Sequence, residues 1–142
     1  MTEPGGTIAL VHWSSQTLLS GYPLLEARLN AAFVETVPYL SETSPQHHFL
    51  RARGWFEQAG LEGARARTFV ADVAGPVADA TMRQALAECF RMFWGELAGR
   101  VSPSDWSDYL RLCEPSSLDF IADVPEFYAF ITYTVFWAHR PT

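Results

Sequence analysis

Thr7-Ile8-Ala9-Leu10-Val11-His12-Trp13 is the segment that most restricts what this chain can become. It follows at once on the turn signal Glu3-Pro4-Gly5-Gly6, and its apolar residues stand at consecutive rather than alternate positions. A strand of that kind is expected to be covered on both faces, inside a parallel sheet with flanking helices. No earlier segment supplies that cover, so the covering elements are expected to lie upstream of Met1.

The rest of the chain alternates helix and strand signals. After a loop over residues 14–22, Pro23 suits the first turn of a helix in which Leu24, Leu25, Leu29, Ala32 and Phe33 recur at helical spacing. Pro38 ends it, and residues 41–44 form a polar connection. Ser44-Pro45 opens a second helix with Phe49, Ala52 and Phe56 on its apolar face and Gly60 as its stop. Residues 67–73 alternate as a strand ended by Gly75-Pro76. Asp79 caps a long helix with a stripe of Met82, Leu86, Phe90, Phe93 and Leu97, and Gly99 lies past its end. Ser102-Pro103 with Asp105 starts a shorter helix through a capping-box-like pair. Residues 127–137 are rich in aromatic and β-branched side chains and read as a buried strand, with helix as the competing assignment. The expected layout is α/β with three strands.

Composition narrows the function classes. The 142 residues fit one domain, and 49% hydrophobic against 18% charged content describes a globular chain. Five Trp, five Tyr and ten Phe fill either an ordinary core or a large apolar pocket. A net charge of −6 with scattered Lys and Arg offers no footprint for nucleic acid. Cys89 and Cys113 form neither a disulfide framework nor a zinc motif, which fits a reducing, cytoplasmic setting. The N-terminus lacks the basic region of a signal peptide, and the apolar segments fall short of a membrane span.

Pro4-Gly5-Gly6-Thr7-Ile8-Ala9-Leu10, then Gly54-Trp55-Phe56-Glu57-Gln58-Ala59-Gly60-Leu61, then Arg67-Thr68-Phe69-Val70-Ala71-Asp72-Val73 and Tyr128-Ala129-Phe130-Ile131-Thr132-Tyr133-Thr134 occur in this order. Together they resemble the C-terminal half of class I S-adenosylmethionine-dependent methyltransferases, from the fifth strand through the seventh. The resemblance implies a Rossmann-like sheet ordered 3-2-1-4-5-7-6. This chain would supply a partial fold: a three-stranded mixed sheet ordered 5-7-6, with residues 20–45 as a lid-like helical segment and 79–123 as a helical insertion between the last two strands. It also implies that S-adenosylmethionine is held by a glycine-rich turn after the first strand and by an acidic residue ending the second. Neither has a counterpart here, since Gly5-Gly6 precedes a strand. No cofactor is therefore expected to bind this chain alone.

Individual residues carry weaker signals. Trp13, Ser14 and Ser15 would lie at the carboxyl end of the first strand, where open α/β sheets bind ligands. Ser14 would hydrogen-bond a substrate and Trp13 would wall a pocket; the alternatives are a solvated hydroxyl and a core-capping indole. Tyr22 and the helix after it take the place of an acceptor-side lid, or form a plain packing helix. His48 is a possible base, and His47 beside it points about 100° away, which disfavours a shared metal. Trp94, with Phe90 and Phe93, lines either an acceptor pocket or the core. No catalytic residue and no metal ligand is named by pattern.

The expected function is the acceptor-side half of a small-molecule methyltransferase, inactive without its donor-binding half. The alternative is a non-enzymatic binding or assembly module. It would form a homodimer or complement a separate donor-binding chain through the strand Thr7 to Trp13. Neither nucleic acid nor membrane is an expected partner.

Overall fold

In the computed structural model residues 3–142 are described. The strands are β1 (Thr7–Thr17), β2 (Glu62–Ala74) and β3 (Tyr128–His139). The helices are α1 (Pro23–Thr36), α2 (Pro38–Ser41), α3 (Ala52–Gln58), α4 (Ala80–Trp94) and α5 (Pro103–Cys113). No helix among the described residues is long and apolar enough to cross a membrane.

The three strands form one sheet in the order β1-β3-β2. Register follows from paired groups. Arg140 N–H donates to the Gly6 carbonyl at 2.9 Å, Thr7 Oγ1 meets His139 Nδ1 at 3.1 Å, and Ser14 Oγ meets Thr132 Oγ1 at 2.9 Å. Numbers rise on β1 as they fall on β3, so the pair is antiparallel. Thr68 Oγ1 opposite Thr134 Oγ1 at 3.0 Å, and Gly75 N–H on the Phe127 carbonyl at 2.7 Å, make β2 and β3 antiparallel as well. The mixed sheet expected from the sequence is thus an antiparallel one, because the last strand lies between the first two and runs against both.

By contact density the described chain divides into two compact units. The first contains the chain up to Gln16 together with Glu42–Ala71 and Ile131–Thr142. Its core is Ala52 and Phe56 of α3 against Phe136 and Ala138 of β3, with Ile8, Leu10, Phe49 and Trp55 packed around them. The second contains Thr17–Ser41 and Asp72–Phe130. Its core is aromatic: Phe90 stacks on Trp94, and Phe120 and Tyr109 meet these two rings edge-on.

Four expectations are corrected. β1 is not covered on both faces: Ile8 and Leu10 pack on the first core, whereas Val11 is 62% exposed. β1 also runs four residues further than the apolar pattern, since Ser14 satisfies its hydroxyl on Thr132 and Thr134 across the sheet. The helix expected from Pro45 is broken by extended backbone at His48 (φ −65°, ψ 134°) into two short 3₁₀ turns before α3. The buried stripe of α4 is Leu86, Ala87, Phe90 and Trp94, while Met82 is exposed and Leu97 is buried beyond the helix end.

Candidate functional site

The carboxyl end of β1 leads into a short turn, Leu18 to Tyr22, before α1 begins at Pro23. Leu18 and Leu19 are buried, and Gly21 takes a positive φ of 88° that suits a residue without a Cβ. Tyr22 N–H closes the turn on the Leu19 carbonyl at 2.9 Å. The turn is fixed to α1 by Glu26. Its Oε1 accepts the Leu18 N–H at 2.7 Å and its Oε2 accepts the Leu19 N–H at 3.1 Å. A carboxylate accepting backbone N–H groups near a helix N-terminus is stabilised by both.

Beside this turn, within the second unit, lies an open cleft of about 490 Å³. Leu19, Pro23 and Ala27 give it apolar walls, and Thr17, Ser20, Glu26 and Asn30 supply its polar groups. Two of these are oriented from outside. Trp94 Nε1 donates to Asn30 Oδ1 at 3.0 Å; an indole N–H only donates, so the Asn30 NH₂ group is turned the other way. Ser20 Oγ accepts the Tyr128 N–H at 3.2 Å, which leaves its own O–H as a donor. A second groove of about 430 Å³ is lined by Glu88, Arg91, Glu96, Trp106, Tyr109 and Glu114 and includes the exposed pair of Arg91 with Glu88 at 2.9 Å.

The residues singled out by sequence fall in both units. Trp13, Ser14 and His48 belong to the first unit, Tyr22 and Trp94 to the second. Trp13 lies against the Tyr133 ring at 5.4 Å, and Ser14 is engaged by Thr132 and Thr134. His48 Nδ1 accepts the Leu50 N–H at 3.2 Å. Tyr22 is 39% exposed, with the Arg111 guanidinium 6.0 Å from its ring centroid. Trp94 is fully buried and acts on the cleft through Asn30.

No protein-family model matches the sequence, and no curated protein matches it significantly. The cleft therefore stands on its own geometry.

Glu26 and Asn30 were missed by sequence reading. The available signal was a carboxylate at position 26 between the apolar Leu25 and Leu29 of α1, both buried. Among the described residues no group of three or more His, Cys, Asp or Glu is placed to hold a metal ion.

Proposed function

We propose that this chain is the acceptor-side portion of a small-molecule S-adenosylmethionine-dependent methyltransferase of class I. The observation that carries the proposal is the sheet: β1-β3-β2, with the last strand in sequence inserted antiparallel between the other two. That strand order agrees with the order 5-7-6 expected from the resemblance, which supports the reading. A cleft beside the turn that follows β1 supports the reading as a place for a small acceptor.

The methyl donor does not fit the strand-to-helix turns of this chain. The turn after β1 has a single glycine, Gly21, and its Leu18 and Leu19 amides already serve the Glu26 carboxylate. At Gly75, after β2, a Cβ would stand 2.3 Å from the Val124 carbonyl oxygen, so that turn is filled by protein. Donor binding belongs to a glycine-rich turn outside residues 1–142.

Isothermal titration of the chain with S-adenosylhomocysteine is expected to give no binding heat. Reading the coding DNA upstream of the Met1 codon is expected to reveal an in-frame glycine-rich turn after a strand. Micromolar binding to the chain alone, or an upstream frame closed by a stop codon with no co-purifying donor-binding chain, would overturn the proposal.

A second reading, an assembly module, is supported by β1 itself. β1 and β2 are the two edges of the sheet. β2 carries Glu62, Arg65, Arg67 and Asp72, whereas β1 has no Asp, Glu, Lys or Arg and no proline. Charges and prolines are the usual devices that keep an edge strand from pairing.

A further inference from the structure

We propose that the cleft beside the β1–α1 turn recognises a small molecule with an apolar body and a protonated amine, for which the Glu26 carboxylate is the counter-charge. Glu26 is only 6% exposed, and a carboxylate so far out of water is costly unless something offsets its charge. Its hydrogen bonds to the Leu18 and Leu19 amides use one lone-pair direction on each oxygen and leave others unfilled. None of the ion pairs among the described residues involves it. The cations of the second unit that have partners are committed elsewhere: Arg28 to Asp105, Arg83 to Asp123, Arg91 to Glu88, and Arg111 to Asp108 and Asp119.

Glu26 also lines the cleft, and we infer that its carboxylate is within reach of a donor bound there. An anion there would be repelled, and a purely apolar molecule would leave the charge without a counter-ion. An ammonium group offers the missing positive charge and the N–H donors that the free lone pairs accept. Leu19, Pro23 and Ala27 suit the hydrocarbon part, and the Asn30 NH₂ and Ser20 O–H suit an acceptor atom on the same molecule. As an acceptor substrate, such an amine rests on the methyltransferase proposal; its binding to the cleft does not.

The test uses two probes of nearly equal shape, benzylamine and benzyl alcohol, titrated into the whole ¹⁵N-labelled chain at neutral pH and low salt. Benzylamine is expected to shift the Leu18, Leu19 and Ser20 amide resonances and to bind at least about tenfold tighter than the alcohol, a difference of roughly 1.4 kcal/mol. E26Q is expected to abolish that preference. Ala27 is an exposed position of α1 on the cleft wall, so A27W fills the cleft without touching the Glu26 bonds, and it is expected to abolish the benzylamine shifts. If E26Q fails to fold, the probe pair and A27W decide. Equal binding of the two probes, an absence of shifts, or benzylamine shifts that survive A27W would overturn the proposal. Each outcome is independent of the titration with S-adenosylhomocysteine.

Discussion

Two ionisable residues give the fold a pH dependence that can be assigned residue by residue. The His12 ring stacks on Phe49 with centroids 4.7 Å apart, and His48 stands edge-on at 6.3 Å. Burial, with the nearby His48 adding, pushes the His12 pKa below its ordinary value. The folded state therefore binds fewer protons here than the unfolded chain does. The resulting stability is present above about pH 6.5 and is lost as pH falls through the lowered folded value. Asp105 adds a second step at lower pH. The Arg28 guanidinium hydrogen bonds, and then the Ser102 side chain, hold its carboxyl below the usual range, so its contribution fades below about pH 4. Urea midpoints at pH 7.5, 5.5 and 3.5 check both. H12Q is expected to flatten the upper interval and D105N the lower; unchanged slopes would sink the assignments.

At the scale of elements, the turn that ends β2 leaves no room for a Cβ at Gly75. Gly75 N–H bonds the Phe127 carbonyl at 2.7 Å, and a Cβ at Gly75 would come within 2.8 Å of the Phe127 Cβ as well as meeting Val124 O. G75A is expected to lower stability by about 1–3 kcal/mol or more, since backbone and a Cβ cannot move aside as a flexible side chain does. Thermal and urea unfolding check it; a loss under about 0.5 kcal/mol would show that the turn relaxes. The sequence signalled this turn through Gly75-Pro76, and it signalled two caps, although Ser44, expected to cap the helix from Pro45, makes no capping bond and pairs with His47 Nδ1 instead. Asp79 Oδ1 accepts the Met82 N–H at 2.7 Å and Ser102 Oγ accepts the Asp105 N–H at 3.1 Å. Caps and turns are legible because they depend on bonds within a few residues. The break at His48 was not, since its side chain bonds the Leu50 amide where helical pattern alone predicted continuity.

For the whole chain, the decisive feature is the contrast between the two edges of the sheet. β1 has an outward-facing Val11 that is 62% exposed and no charge along the strand, while β2 is charged. Light scattering is expected to show concentration-dependent association of the chain, and V11K is expected to suppress it by placing a charge beside the open edge. A strictly monomeric chain at high concentration would argue against β1 as a pairing edge. The candidate site was less legible than the edge. Ser14 and Trp13 were chosen for their place at the end of an apolar run, yet β1 continues past them to Thr17 and the cleft opens beyond it. Polar residues of a strand look like loop in a sequence, because the partners that satisfy them, here Thr132 and Thr134, are more than a hundred residues away.

The sequence by itself determined the order of most elements, the turn at Gly75-Pro76 and the caps at Asp79 and Ser102, because periodicity, proline, glycine and capping side chains act over one or two turns of chain. It also suggested, through Thr7 to Trp13 and the later motifs, which half of a fold this chain resembles. Only the tertiary structure decided that both strand pairs are antiparallel, that the outer face of β1 is exposed, and that the Glu26 carboxylate of α1 closes on the Leu18 and Leu19 amides. Strand direction and the burial of Glu26 depend on contacts that close only when distant segments pack. Such contacts leave no local trace in the chain.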